Sequence, residues 1–568
     1  MIKRFLLLAT LLLAVSGTAH ANSWWDNYMP DNRNVRLTST NLPIVWIDVD
    51  GNYIDREERI TARMKIIHNG DGTLNWADTV AHPGQRIDYE GYVALRYRGS
   101  SSYLYSDKKP YSFRPLDKPL DDGGVKQKVK ILGMGKDNNW ALLAPYADKS
   151  MMRDLLAFEV SRPWMEYTPQ GRFCELFLDG TYYGVYILTE VVSDGKHRLN
   201  LPDPGLSGDS ITGGYIMEVN RVEDEVSYTS KFHPVSNTGI RYLNQYINFQ
   251  FKSPDYEDLT QEQVDYITGR IDDMETALWN YRPTGSTAYR DYLDMENFVD
   301  YQIAMELGHN VDGYRLSGKF FKRRDSEDAR FKMVVWDNNL SYGNADYYDG
   351  WRTDTWIYTN NNTLNSANDP QLIPFWWYKL NTDPEYTAAL KRRWAQYRRN
   401  NLREDRIMAT VDSLAHVLTV NGAERRNSQA WPRWGQYVWP NYYIADNFDD
   451  EVDYLKQWLS DRITWMDEQL DYDPTAYLRG DVDGDGSVNI ADVTVLIDYL
   501  LSGDAASINT ANADCDEDGN INIADVTALI DYLLGGAWNT LGRACRVSLR
   551  ADIIPSSPVN HLGQRLAL

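Results

Sequence analysis

The chain has 568 residues, 43 % of them apolar and 13 % aromatic, which is enough to bury several cores. Its formal net charge of −23 argues against nucleic acid or an anionic membrane as partner. Three cysteines, Cys174, Cys515 and Cys545, are too few for a disulfide framework or a zinc cluster.

The first 21 residues combine a basic start (Lys3, Arg4), an apolar stretch from Phe5 to Val15 and the small-x-small site Ala19-His20-Ala21. This spacing predicts a secretory signal peptide, too short to span a membrane, with cleavage near Ala21. No later run of 18 apolar residues occurs, so no transmembrane segment is expected and the mature chain should be secreted, periplasmic or at the cell surface. Residues 22–39 read as an N-terminal extension.

Residues 40–475 contain no Gly/Ser-rich linker and read as one large module. Its first part alternates apolar and polar residues over short runs. LPIVWIDVDG, ITARMKIIHNGDG, YVALRYRG and GGYIMEVN are strand-like, and CELFLDGTYYGVYILTE reads as two strands joined by Asp179-Gly180. From about residue 260 to 475 the periodicity is helical, as in EQVDYITGRIDDMETALWNY, MENFVDYQIAMELGHN, TAALKRRWAQYRRNNL and DEVDYLKQWLSDRITWMDEQL. Strands followed by helices predict an α+β body with two lobes.

Two seams carry chemistry. After the strand ending in Arg98 comes the small-residue turn Gly99-Ser100-Ser101-Ser102, then Lys108 and Lys109 at the start of a second strand. A tight turn beside a strand-borne lysine can cradle phosphates, although many hairpins look the same. At the second seam Asp312 follows a helix. The strands YRLSGKFFKR and FKMVVWD then bring Asp337 near it. One acid could orient an acceptor hydroxyl while the other holds magnesium on nucleotide phosphates; Asp337 could equally open a turn.

The acidic block at 481–540 holds twelve Asp or Glu and no Lys or Arg. In it, DVDGDGSVNIADVTVLIDYLL (481–501) recurs as DCDEDGNINIADVTALIDYLL (514–534). Loop positions 1, 3, 5, 9 and 12 carry side-chain oxygens: Asp481, Asp483, Asp485, Asn489 and Asp492 in the first copy. The second copy has Asp514, Asp516, Asp518, Asn522 and Asp525. Gly486 and Gly519 stand at position 6, and Ser487 and Asn520 would offer backbone carbonyls from position 7. Such loops wrap one calcium ion each. Residues 536–568 are basic and patternless and read as a flexible tail.

The acidic block, over residues 479–535, resembles a type I dockerin, a small all-α module of two calcium loop–helix repeats. That resemblance implies a cohesin partner, often within a polysaccharide-degrading assembly, with Ile490-Ala491 and Ile523-Ala524 steering partner choice. The series RYRGSSS, KKPYSF, WALLAPYADKSMMRDLLAFEV, GVYILTE, GGYIMEV, DGYRLSGKFFKR and VVWDNNLSYGN, across residues 88–345, resembles the CotH kinase-like family. PFWWYKL and RRWAQYRR extend the likeness towards residue 400. The resemblance implies an atypical protein-kinase-like domain that moves phosphate from ATP to Ser or Thr of secreted proteins with Mg²⁺ or Mn²⁺. It assigns Asp312 and Asp337 as catalytic acids, Asp337 as a metal ligand and Lys109 as nucleotide-binding; Asn339, where the family carries an acid, could ligate through its side-chain carbonyl. Arg98, Ser100, Arg153 and Glu190 lie in matching motifs. Many family members have Asp-x-Asp where this chain has Asp337-Asn338-Asn339, so one charge at the metal is lost. A kinase-fold scaffold, a glycan-binding component exploiting the 39 Tyr and 19 Trp, and a glycoside hydrolase are the competing readings.

Overall fold

In the computed structural model, residues 35–222, 226–473, 478–504, 508–535 and 538 are described. The expected signal peptide, residues 22–34 of the extension and the tail other than Trp538 lie outside them. Trp538 stacks on Tyr532 at 4.1 Å, and Arg479 lies 4.3 Å from its ring centroid.

Seven strands close a barrel: β1 (Ile44–Asp48), β2 (Ile60–Ile67), β3 (Ile87–Tyr97), β4 (Tyr111–Leu116), β5 (Trp140–Leu143), β6 (Gly171–Leu178) and β7 (Thr181–Glu190). All neighbours are antiparallel except β1 and β6, whose parallel pairing (Ile44 opposite Glu175) closes the ring. The β6–β7 hairpin turns on Asp179 and Gly180 at φ 45° and 74°, the left-handed pair that a two-residue hairpin favours. Val45, Ile47, Met64, Val93, Leu95, Phe113 and Trp140 fill the barrel. Ile44 and Trp46 of β1 point outward, yet they are fully buried against Phe177 and Tyr182. Each such side chain contributes about 1.5–3 kcal/mol by leaving water, which explains why β1 is apolar on both faces.

A second, five-stranded antiparallel sheet is built from β8 (Tyr215–Val219), β9 (Ser227–Thr229), β10 (Asn248–Ser253), β11 (Gly318–Lys322) and β12 (Phe331–Val334), in the order β9-β10-β8-β11-β12. Helices surround it: α1 (Arg153–Ser161), α2 (Gln261–Asn280), α3 (Met295–Gly308), α4 (Phe375–Leu380), α5 (Pro384–Arg399), α6 (Glu404–Thr419) and, after α7 (Ala423–Ala430), α8 (Phe448–Gln469). Helix α7 packs instead on the barrel, where Asn427 Oδ1 accepts the Val185 N–H of β7 at 3.1 Å. Helix α3 is buried on every side from Phe298 to Gly308 and forms the centre of this part. It starts at Asp294, which caps Asn297 N–H at 3.1 Å, and stops at His309 in the left-handed region (φ 44°). That stop turns the chain into the segment carrying Asp312.

The C-terminal segment contributes α9 (Ile490–Ser502) and α10 (Ile523–Gly535), each directly after an acidic loop. Val493 with Leu496 and Val526 with Leu529 are buried between them, whereas Ile497 and Ile530 remain exposed. This segment touches the large module through Glu517. Its carboxylate pairs with Arg406 at 2.8 Å, with Arg403 at 3.6 Å and with Arg479 at 3.5 Å. Its backbone carbonyl accepts from Asn400. Among the described residues no helix is long and apolar enough to cross a membrane.

Candidate active site and calcium loops

Asp337 stands three residues past β12, at φ 61°, a conformation that is strained for a non-glycine residue. Two residues, Asn310 and Asp154, hold this stretch through three hydrogen bonds. Asn310 Nδ2 donates to the Asp337 carbonyl at 3.0 Å and to Asn338 Oδ1 at 3.1 Å. Asn338 N–H donates to Asp154 Oδ1 at 2.7 Å. Asn310 Oδ1 also accepts the Asp312 N–H at 3.1 Å, so one buried amide ties both acidic segments together.

The Asp337 carboxylate accepts from Ser317 Oγ at 3.0 Å. It keeps an open face to solvent while protein walls the rest. That partial loss of water raises its pKa; Arg98 pulls it back down and Asp312 pushes it further up. Asp312 is paired with Arg315 at 2.7 Å, and Arg315 is in turn paired with Asp369 at 2.9 Å. Arg98 lies over the Trp336 ring at 5.2 Å and feels Asp337, Asp154 and Glu218. Its Nη1 is buried without a hydrogen-bond partner. A guanidinium nitrogen left so, facing three acids, is costly unless another anion engages it.

Asp154 is buried on α1, and burial, followed by the Asp337 charge, pushes its pKa up to about 7. Glu218 of β8 stands opposite Lys319 of β11 and is bonded to it at 2.7 Å, with Lys252 at 3.5 Å. Burial raises its pKa, but the two lysines outweigh burial and keep it low.

The cleft thus gathers Arg98, Asp312 and Asp337 from the expected residues. Arg98 N–H donates to the Pro110 carbonyl at 3.1 Å, so the Ser100 turn and Lys109 flank it in the chain. Lys109 itself donates to the Tyr103 carbonyl at 2.5 Å and lies over that ring. Asn339 has its carbonyl bonded to Asn344 at 2.7 Å. Arg153 and Glu190 are not brought to the acids. Arg153 is fully buried between Asp148 (2.6 Å) and Glu451 (2.8 Å), and Glu190 is fully buried on Arg198 (2.7 Å).

The two acidic loops converge far more tightly. Carboxylate oxygens of Asp481, Asp483 and Asp485 lie within 4.8 Å of one another, as do those of Asp514, Asp516 and Asp525. Among the described residues no other group of three or more reaches that density. Asp492 organises the first loop by accepting the N–H groups of Val482 (2.6 Å), Asp483 (3.1 Å) and Asn489 (2.8 Å). Asp525 does the same for Asp516 (3.0 Å) and Asn522 (2.7 Å). Asp485 and Asp518 fold the loops onto Ser487 and Asn520, each accepting that residue's N–H at 2.8 Å. Asn489 and Asn522 cap the helices that follow. Gly486 and Gly519 take φ 84° and 89° at the sharp turns. Asp481 Oδ1 is buried with no partner, and burial followed by the charge of Asp525 pushes Asp514 up to about 6. Orphaned oxygens and mutual repulsion of this kind fit a hard dication.

Comparison with known families decides the identity of both parts. Residues 95–466, more than half of the chain, match the model described as CotH kinase protein. The chain belongs to the CotH family. Residues 479–534 match the type I dockerin domain, which implies calcium in the two loops and a cohesin as partner. Curated proteins give no match.

In this CotH chain four site residues are not singled out by sequence reasoning: Asp154, Asn310 and the facing-strand pair Glu218 and Lys319. Asp154 has a signal, since it adjoins Arg153 in the motif MMRDLLAF. Adjacent helical residues point about 100° apart, so Arg153 enters the core while Asp154 faces the cleft.

Proposed function

We propose that this CotH protein is a secreted, ATP-dependent kinase that phosphorylates Ser or Thr of extracellular proteins. In this reading the dockerin holds it on a cohesin-bearing, polysaccharide-degrading assembly. The observation that carries the reading is the meeting of Arg98, Asp312 and Asp337 in one cleft, with a buried, unpartnered Arg98 Nη1. Arg98 binds a phosphate oxygen there, and its position over Trp336 fixes the guanidinium. Asp312, oriented by Arg315, accepts the proton of the acceptor hydroxyl. Asp337 and Asn339 would hold Mg²⁺ or Mn²⁺, which when bound neutralises charge on the phosphates. Asp154 and Asn310 keep Asp337 in its left-handed conformation.

A second reading, a non-catalytic scaffold of the same fold, is favoured by two observations. The cleft acids do not cluster as the calcium loops do, and Asn339 replaces a carboxylate. Labelled ATP with Mg²⁺ or Mn²⁺ and a casein-like acceptor separates the two. Transfer by the wild type that is lost in Asp337→Ala and Asp312→Asn is the expected result. Absence of both transfer and a nucleotide-induced thermal shift would leave the scaffold.

A further inference from the structure

Four of the exposed aromatic rings are Tyr105 (64 %), Tyr437 (54 %), Tyr442 (48 %) and Trp439 (40 %). They are tied to one face of the cleft. Tyr105, just after the Ser100 turn, meets Trp439 at 4.9 Å. Trp439 lies parallel to Tyr347 at 6.0 Å, and Tyr442 lies parallel to Trp351 at 4.9 Å. Tyr347 packs on Tyr348, whose other neighbour is Arg315, the partner of Asp312. The Asp312 charge also reaches Tyr347, raising its phenol after burial has done so. Tyr105, Trp439, Tyr347 and Tyr348 therefore form a series of rings from open solvent to Arg315, the partner of Asp312, and Tyr442 with Trp351 forms a separate stacked pair on the same loop.

The loop that carries the rings is fixed in place. Asp346 N–H donates to Pro440 at 2.9 Å, Tyr442 N–H to Asn344 at 2.9 Å, and Asn441 Nδ2 to Ala147 at 2.6 Å. Lys149 donates to the Gln436 carbonyl at 2.6 Å. These bonds hold residues 436–442 against the segment that follows Asp337 and against residues 147–149. The rings are presented already ordered, so a ligand pays little to organise them.

Charge narrows the ligand. Residues 345–351 and 436–446 contain Asp346, Asp349 and Asp446 and no Lys or Arg. These two stretches offer no cation of their own to a nucleic acid or an acidic polymer. Tyr437 already donates to Asp346 at 2.7 Å, which leaves the second carboxylate oxygen for a neutral donor. Flat rings with hydroxyl and carboxylate edges suit a ligand with an apolar C–H face and many O–H donors. We propose that Tyr105, Trp439 and Tyr442 form a binding platform for a neutral carbohydrate chain, laid along the Asp312 side of the cleft. The platform goes beyond the kinase reading and does not depend on it.

The test uses the full mature chain in native gels containing neutral polysaccharide, and titration with neutral β-linked gluco-, xylo- and manno-oligosaccharides followed by tryptophan fluorescence. Retardation and saturable binding are expected for the wild type. Binding weaker by about tenfold or more is expected in Trp439→Ala and in Tyr105→Ala, which sit on different segments and guard against a single misfolded variant. No retardation by any neutral polysaccharide, or binding unchanged in both ring variants, would overturn the platform. So would ring-dependent binding of a Lys-rich peptide in place of sugar. Sugar binding without phosphate transfer would sustain the platform and remove only the kinase.

Discussion

Replacing Arg153 by Met tests whether this motif arginine is a structural tie or a nucleotide contact. Its guanidinium is fully buried, and Nη1 binds Asp148 at 2.6 Å and Glu451 at 2.8 Å, both carboxylates almost fully buried. Nε also donates to the Ser341 carbonyl at 3.1 Å, in the loop that follows Asp337. Removing the arginine strands two buried carboxylates, a change that costs about 3–5 kcal/mol. Burial already raises the Glu451 pKa, and Arg153 is the largest influence opposing it. In the variant Glu451 loses the cation that opposes its burial and is pushed further towards its protonated state, so stability should fall further as pH rises and recover partly in acid. Urea denaturation followed by tryptophan fluorescence at pH 5.5 and 7.5 reads this directly. The double variant Arg153→Met/Glu451→Gln should regain part of the loss, because one stranded charge is gone. A loss below about 1 kcal/mol, or weakened nucleotide binding at unchanged stability, would refute the reasoning and place Arg153 at the nucleotide.

Glu275 gives a pH test remote from the cleft. It is fully buried, accepts from Ser230 at 2.6 Å and Trp376 at 2.8 Å, and burial pushes its pKa up to about 8. A carboxyl raised in the folded state stabilises below about pH 4.5 and loses that contribution as pH rises towards 8, here by roughly 3–5 kcal/mol. Glu275→Gln should therefore match the wild type near pH 4.5 and exceed it at pH 8 in thermal denaturation; equal behaviour at both would contradict the assigned ionisation. For the dockerin, adding calcium at a hundred times its dissociation constant should stabilise each repeat by about 2.7 kcal/mol. Calorimetry with and without chelator should show this, and Asp492→Ala should lose the contribution of the first loop while keeping that of the second.

Much of the fold was legible because its signals are local. Strand alternation located β1, β2 and β3, Asp179-Gly180 located the tightest hairpin, and apolar spacing located α2, α3, α5 and α8. The closure of the barrel was not legible. It depends on β1 pairing in parallel with β6 across about 130 residues, and both strands read as ordinary apolar runs. The calcium loops were legible residue by residue, since all their ligands fall within twelve positions of sequence. The cleft was half legible. Asp312 and Asp337 are announced by helix and strand ends, whereas Asp154 enters only because α1 packs its N-terminal turn behind Asn338. Lys108 reads as the equal of Lys109, yet it is fully buried, donates to Asn427 at 2.9 Å and lies over Tyr186. Nothing in the two adjacent letters distinguishes those fates.

Glu517 breaks a symmetry that the repeats spell out. The two loops are nearly the same sentence, yet position 4 is Gly484 in one and Glu517 in the other. The glycine has open space around it, while the glutamate is gripped by Arg403, Arg406 and Arg479. One calcium loop therefore belongs to the dockerin alone, and the other is also a bracket bolted to the CotH body. Ions filling two near-identical cages would then do unequal work, one closing a small module and the other setting the bearing at which the whole molecule is carried.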